Sequence, residues 1–558
     1  MGEGIASMMD RRSFVGSAGA TAGALALGAG VVGRASAGEG ATAWDQECDI
    51  LVVGYGGAGA AAAITAAQEE LGDVLVIEAA PEGDEGGNTR TCGQIIFCPR
   101  SVEGALEYQG NLNAEYRVAD DLMQAWAEEI TKNAEWLRSI GANPEETSTA
   151  SPEFPDVAGS EASCNYVIDG TMGSESLWKV LKAKESELGI SVLYGTRALE
   201  LVSDAGEVHG VIAESDGAEV AIKARKAVIL ACGGFENDPE MVSNYHPLGM
   251  NGAYVIPLGT PYNRGDGIRM AQRLGCGLWH MNNFSRGGWA APFLCDRDDE
   301  FARCGTFPAY PSRDYIYVGP DGKRWGYEEA TGLTRHGKTL VHSVYMDQQV
   351  PEPGYVILGS KCFEGGRLAS ALPYLAAWSM GKMDTDGTNE GDVEKGRILK
   401  GETAEELAEK LGLDPEALSA TIEEYNANAA NNEDPIWGRG QDFYSDNQDM
   451  TGRDNSKFEK EEGEEATPAV DAFNLVPLDP PYYGFPLYIG LLNTQGGPTR
   501  SAKGEITDVD GNPIPRLFAA GEMGCVYSYM YNGGGNVGEA LASGRIAVRN
   551  AAKLDAWE

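Results

Sequence analysis

The sequence predicts an α/β fold in which a Rossmann-like, parallel-stranded nucleotide-binding domain is interrupted by an inserted α+β domain. Three observations carry this expectation. Residues Asp49–Glu78 read as strand, glycine turn, helix and second strand, in that order. A short apolar strand delivering glycines recurs at Ala227–Gly234 and again at Leu517–Gly521. Between those two, from about His280 to Pro486, the composition shifts toward Trp, Tyr and loop residues. The expected organisation is one nucleotide-binding domain in two parts, 44–279 and 487–558, with 280–486 inserted between them.

The first block is the most informative. Asp49-Ile50-Leu51-Val52-Val53 is short, apolar and β-branched, as a strand buried on both faces should be. Gly54 permits a tight turn, Gly56 lets the backbone approach a pyrophosphate, and Gly59 lets the following small-residue helix (60–71) pack close to the strand. Gly57 and Ala58 lie at the helix start, where free N–H groups would face phosphate. Glu78 ends the second strand about twenty residues on, where a carboxylate accepts hydrogen bonds from a ribose.

Gly86-Gly87-Asn88-Thr89-Arg90 and Thr91-Cys92-Gly93-Gln94 follow, a polar loop able to turn backbone N–H groups toward phosphate and a flavin edge. Asp120–Gly141 has helical spacing and a glycine stop, so its apolar stripe is core. Ser176–Glu187 reads as a helix and Val192–Tyr194 as a strand. Leu199–Val202 and Val208–Ala213 read as a hairpin. Ala227–Ala231 delivers Cys232-Gly233-Gly234-Phe235 into a site, and Gly265-Asp266-Gly267 opens a helix. A helical pair is expected at Thr403–Leu411 and Pro415–Ala430, and a solvated acidic loop at Glu459–Glu465. Leu517–Ala520 is a strand before Gly521-Glu522. Tyr531-Asn532-Gly533-Gly534-Gly535-Asn536 then opens a long helix from Val537, whose positive end could stabilise an anionic reduced ring.

The 558 residues carry a net charge of -41. That argues against nucleic acid and anionic membrane surfaces as partners and favours basic ones. Arg11-Arg12 before a weakly apolar Ala/Gly-rich run, with Ala35-Ser36-Ala37 as a cleavage site, resembles a Tat signal over residues 1–37. No later apolar run is long enough to span a bilayer, so the expectation is an exported, periplasmic or extracytoplasmic protein. The ten cysteines include no C-x-x-C pair, which argues against zinc and c-type haem. An iron–sulfur cluster built from distant cysteines stays open.

These pieces together resemble the flavoprotein family of soluble fumarate reductases, urocanate reductases and 3-ketosteroid Δ1-dehydrogenases. The resemblance is strongest in Asp49–Glu78, Gly86–Gly93, Ala227–Phe235 and Pro515–Asn550, and it extends to Asp321-Gly322-Lys323-Arg324-Trp325 and Tyr425-Asn426 in the insert. It implies a non-covalent FAD on a Rossmann-like domain with a mobile capping domain, and substrate between the two. The implied FAD-binding residues are the turn Gly54, Gly56, Gly57, Ala58 and Gly59, with Glu78 and Ala79. Gly87, Asn88, Thr89 and Gly93 follow, then Ala198, Ala231, Gly233, Gly234 and Asp266. Gly521 and the ribityl-binding Glu522 come last, with Gly534, Asn536 and Val537. No metal is implied.

The resemblance implies hydride transfer between flavin N5 and an activated carbon–carbon bond. The family's dicarboxylate clamp is missing twice: Asn493 stands where fumarate reductases carry a histidine, and Asn532 where they carry an arginine. Tyr531 and Gly535 match a tyrosine and a glycine N–H that hold a ketone oxygen in the ketosteroid dehydrogenases. For the proton-transfer residue, counting from Glu328 lands on Gly332; Arg335 could occupy the place, with Tyr327 and His336 as the other candidates. The expectation is therefore an exported FAD-dependent reductase of a C=C bond conjugated to a carbonyl. Its electrons would come from a separate donor such as a cytochrome c or a membrane quinol-linked protein. A 3-ketosteroid Δ1-dehydrogenase, a fumarate reductase-like dicarboxylate enzyme and a non-catalytic flavin electron carrier remain as alternatives.

Overall fold

A computed structural model describes residues 43–246, 255–290, 308–326, 335–341, 344–347, 349–369, 387–437, 439 and 475–557. The expected signal segment, the acidic loop Glu459–Glu465, and Tyr327, Glu328 and Gly332 lie outside the described residues.

The chain enters the first sheet at β1 (Gln46–Val53), turns through Gly54 into α1 (Gly57–Gln68), and returns in β2 (Val74–Ile77). Gly54 has φ +106°, so only glycine makes this turn without strain. Helix α1 is almost wholly Gly and Ala and buries its first ten residues, because it is packed from both sides. A short helix α2 (Gly87–Thr91) follows.

The stretch expected as one helix from Asp120 to Gly141 is two, α3 (Asp120–Ile130) and α4 (Asn133–Ser139). The break has a local cause. Thr131 turns its hydroxyl back to the Ala127 carbonyl at 3.0 Å. Asn133 donates its amide to the carbonyls of Phe97 and Gly538, at 3.0 and 2.9 Å, instead of facing solvent.

Helix α5 (Ser176–Leu188) leads to β3 (Ser191–Leu193), and the hairpin β4 (Thr196–Asp204) and β5 (Glu207–Ser215) runs on into β6 (Ala218–Leu230). Strand β1 lies parallel between β2 and β6, with Ile50 opposite Val74 on one side and Ala227 on the other. That flanking explains its unbroken apolar sequence.

A second sheet of six strands holds β7 (Val255–Pro257), β8 (Phe284–Ala290), β9 (Tyr315–Val318), β10 (Gly354–Leu358), β11 (Leu399–Gly401) and β12 (Tyr482–Thr494). The long β12 is its spine and pairs with β7, β8, β10 and β11. The boundary expected at 486 falls inside this strand, which carries the insert's sheet directly to Asn493 and Thr494. Helix α6 (Asp266–Arg273) precedes β8; α7 (Ala404–Leu411) and α8 (Pro415–Ala429) cover the sheet, packing Leu407, Leu418 and Ile422 with Ile316 and Ile357. Both begin on side-chain caps, Thr403 and Asp414, and Pro415 sits at the first helical position.

The chain rejoins the first sheet through β13 (Glu505–Thr507) and β14 (Pro513–Ala519), and β14 pairs parallel to β6. It closes on α9 (Gly535–Ala551), which packs on α1 with Gly544 against the Ala58 carbonyl, where no Cβ would fit. Arg545, fully buried, is held there by Glu129 and by Asn133. No helix among the described residues is long and apolar enough to cross a membrane, and no group of three or more metal-ligating side chains occurs among them.

Candidate active site

A cavity of about 700 Å³ opens at the carboxyl ends of β1, β2, β6 and β14, the edge at which α/β sheets bind ligands. Its floor is the turn Gly54, Gly56, Gly57 and Ala58. Gly57 donates its N–H to Thr89 Oγ1 at 3.1 Å, and a Cβ on Gly57 would meet that oxygen at 2.6 Å. Thr89 and Gly57 are thus locked together, with Thr89 taking the first N–H of α1, while Gly56 at the N-cap position has no side chain to offer. The open end of such a helix favours anions.

At one end, Glu78 accepts the N–H of Tyr55 at 2.6 Å and of Ala80 at 2.7 Å, leaving lone pairs toward the cavity it lines with Ala79. Burial pushes its carboxyl up, while those N–H groups oppose the shift. Asp266 and Ala198 line the same region, where Arg197 forks onto Asp266 at 2.7 and 2.8 Å. Arg197 was not legible as part of the site, because its role depends on β4 crossing the start of α6.

The middle of the cavity is walled by Gly87, Asn88, Gly93, Ala231, Gly233, Gly521 and Glu522. Beneath it lies a carboxylate pair that the sequence reading missed in part. Glu236 is buried and Glu522 half-buried on the cavity wall, and the Asn88 amide nitrogen donates to both, at 2.7 and 3.1 Å. Asn263 donates to Glu236 at 2.7 Å and the Thr494 N–H to Glu522 at 3.0 Å. Two carboxylates bridged by one amide do not readily ionise together. Burial raises Glu236 to about 7, and enclosure in the site together with the Glu236 charge holds Glu522 well above the usual carboxylate range. Gly234 does not line the cavity; a Cβ there would strike this cluster. Gly59 also stands back, against the Gly54 carbonyl, as its packing role requires.

The far end is formed by Gly534, Asn536, Val537, Asn493, Tyr531 and His336. Here the uncapped start of α9 faces the cavity. Two buried polar atoms, Asn493 Nδ2 and Asn536 Oδ1, have no hydrogen-bond partner among the described residues. Tyr531 donates to Asn493 Oδ1 at 3.2 Å and lies 3.1 Å from Ser285 Oγ. Burial holds its phenol far above the usual tyrosine range, so it is a proton-bearing donor.

The expected pairing of Tyr531 with the N–H of Gly535 is corrected. That N–H donates to the Asn532 carbonyl at 2.8 Å, and the Gly535 carbonyl accepts from Tyr527 at 2.8 Å, so Gly535 closes the turn and does not line the cavity. Asn532 is fully buried behind the wall. The backbone of Arg335 opens the short turn Arg335–Gly337. Arg286, another arginine of this region, is 1% exposed and turned to the Gly337 carbonyl, away from the lining.

The cavity therefore offers two helix starts with glycine at the N-cap, a glycine floor, an acid at one end and unpartnered polar atoms at the other, all of which fit FAD. The FAD binding domain family matches residues 49–537. The chain belongs to this family. As such a flavoprotein it is an FAD-dependent oxidoreductase. It is 26% identical over 636 residues to the digoxin reductase of Eggerthella lenta, spanning 100% of this chain and 99% of that protein. With the vinyl phenol reductase of Lactiplantibacillus plantarum it shares 23% identity over 525 residues, 90% of this chain and 96% of the relative. Among solved structures it is similar in fold to a 3-ketosteroid Δ1-dehydrogenase of Sterolibacterium denitrificans, with a TM-score of 0.66 at 20% identity over 91% of this chain and 99% of that one.

Proposed function

We propose that this flavoprotein is an exported reductase that adds hydride and a proton across a C=C bond conjugated to a carbonyl. The observation that carries the reading is the far end of the cavity, where the Tyr531 hydroxyl and the unpartnered Asn493 Nδ2 are neutral donors on one wall. The one arginine among the described lining residues, Arg197, is already forked onto Asp266. Neutral donors suit a carbonyl oxygen that gains charge as the reaction proceeds, whereas a dicarboxylate needs fixed cations. Relatives named as reductases of digoxin and vinyl phenol support the direction.

FAD, held non-covalently, supplies the hydride when bound. Gly57, Ala58 and the start of α1 would hold its pyrophosphate, Glu78 its ribose, and the start of α9 its ring. Electrons come from a separate redox protein, a cytochrome c or a quinol-linked membrane protein, and the Arg11-Arg12 segment sends the loaded enzyme out through Tat.

The test is an anaerobic screen of conjugated ketones, lactones and acids against viologen-reduced enzyme, run on wild type and Tyr531→Phe. The variant keeps the ring and its stacking on His336 at 4.3 Å but loses the donor. On the best substrate its kcat should fall roughly 10²-fold or more, the size typical of one oxyanion donor. Unchanged kcat, or a wild type that reduces no conjugated carbonyl and only dehydrogenates ketosteroids, would overturn the reading.

A further inference from the structure

We propose that the proton for this reduction reaches the substrate along a relay from Glu153 through His336 and Ser285 to Tyr531. The proposal rests on the carbonyl reading above. His336 Nε2 lies 3.2 Å from Glu153 Oε2, and its Nδ1 lies 2.8 Å from Ser285 Oγ. Ser285 Oγ is in turn 3.1 Å from the Tyr531 hydroxyl. Four segments distant in sequence thus form one unbroken hydrogen-bonded line.

The line runs from the water side inward. The Glu153 and His336 side chains are 13% and 11% exposed, whereas Ser285 is 2% exposed. His336 also has φ +58°, a left-handed backbone that a non-glycine residue keeps only when its surroundings demand it. What they demand is visible: the ring stacks on Tyr531 and spends each nitrogen on one neighbour. The charges around it are Glu153 at Nε2 and, beyond Gly337, Arg286 and Lys338, with Asp347 3.8 Å from Arg286.

The chemistry balances. As hydride reaches the β-carbon, the π pair moves to the carbonyl oxygen, which takes the Tyr531 proton and becomes an enol. Ser285 gives its proton to the phenolate, and His336 Nδ1–H reprotonates Ser285. In the same movement the imidazole takes the Glu153 carboxyl proton at Nε2, and Glu153, at the outer end of the line, regains one from water. The enol ketonises, so one hydride and one proton have been added. The electron pair comes from FAD, recharged by the separate one-electron donor protein. Asn493 Oδ1 holds the phenol proton while no substrate is present.

Two measurements test this. The first needs no turnover: the chain has five histidines, so ¹⁵N-histidine labelling of the holoenzyme and one His336→Gln spectrum assign the His336 ring. Ser285→Ala is expected to move the His336 Nδ1 resonance at unchanged FAD content; an unmoved resonance overturns the relay. The second is single-turnover re-oxidation of the reduced holoenzyme by its best enone. Ser285→Ala and His336→Gln should each slow that step roughly 10²-fold or more, the scale of positioned proton transfer. KM should change far less, and Ser285→Thr, which restores a hydroxyl, should recover most of the rate. Equal slowing by Ala and Thr, or wild-type re-oxidation rates in Ser285→Ala, overturns the relay. If Ser285→Ala loads no FAD, His336→Gln decides alone, and an unchanged rate there overturns it too. A wild type that no conjugated carbonyl re-oxidises overturns the functional reading instead, and the resonance test still reports on the hydrogen bond.

Discussion

Replacing Glu236 by Gln should change how stability depends on pH, and in one window. Glu236 is fully enclosed, donates nothing in its ionised form, and receives the amides of Asn88 and Asn263 beside a second carboxyl, Glu522. Its folded-state value is raised from 4.5 to about 7, chiefly by burial. A group raised on folding binds more protons in the folded than in the unfolded chain between those two values. Stability from this source is therefore fully present below about 4.5 and is lost as pH rises toward 7. A tenfold difference in proton affinity between the folded and unfolded chain is worth about 1.36 kcal/mol, so the loss across the window is on the order of 3 kcal/mol. Carboxylates lowered on folding, such as Glu129 beside Arg545 and Arg549, act in the opposite sense and only as pH falls below the ordinary carboxylate range. The buried His246 and His280, lowered from 6.5 to about 3 chiefly by burial, also lose stability as pH falls and do so across this window, in wild type and variant alike, so the difference between the two proteins is what reports on Glu236. Urea unfolding of wild type and Glu236→Gln at several pH values from 4.5 to 7 should show wild type losing stability relative to the variant as pH rises. Parallel curves would refute the shared-proton picture of the Glu236–Glu522 pair.

Three further outcomes follow. Gly56→Val should fold, because a Cβ there meets only ordinary contact at 3.6 Å from the Gly86 carbonyl, yet the longer side chain fills the pyrophosphate space; a yellow, normally loaded variant would remove the glycine floor from the site. Fumarate should be turned over roughly 10- to 100-fold less efficiently than the best conjugated ketone, the equivalent of one lost charge-assisted hydrogen bond of roughly 1.5–3 kcal/mol; kcat/KM for the two substrates decides. Changing Arg11 and Arg12 to Lys should leave flavin-loaded precursor in the cytoplasm, and unchanged export measured by fractionation would assign that segment another role.

What was legible in the sequence was whatever the backbone imposes locally. The glycines at 54–59 had to be glycines for reasons of φ, close approach and phosphate access, so strand, turn, helix and acid could be read together. The α9 start was legible for the same reason. The Asp120–Gly141 stretch was misread as one helix because its break is made by Phe97 and Gly538, residues far away in the chain, bidding for the Asn133 amide. Glu522 was read and its partner was not, although Glu236 follows the glycines that end β6 at a distance of two residues; an acid just past a glycine-delivering strand was the available signal. Glu153 and Ser285 carried none. Their neighbours are loop and strand residues of ordinary type, and they acquire chemistry only when β8 and the Arg335–Gly337 turn bring them to Tyr531.

The same long-range geometry recasts the residue that departs most from a dicarboxylate enzyme. By its resemblance to the fumarate reductases the sequence places Asn532 where they carry an arginine, so in sequence it reads as a lost clamp. In the fold it is a latch. Its Oδ1 accepts from the Glu153 N–H at 2.9 Å and from the Tyr108 hydroxyl at 3.1 Å, and its Nδ2 donates to the Ala150 carbonyl at 2.8 Å. The loop bearing Glu153 is thereby tied to the turn bearing Tyr531, and His336 spans the space between them. An arginine could not keep those bonds, since it has no acceptor to offer the Glu153 N–H or the Tyr108 hydroxyl. Both hydrogen bonds would be lost, each worth roughly 0.5–1.5 kcal/mol. Asn532 is thus incompatible with a clamp at this position, and its presence fits a site that fixes a neutral oxygen by holding Tyr531 and its hydrogen-bonded neighbours in register.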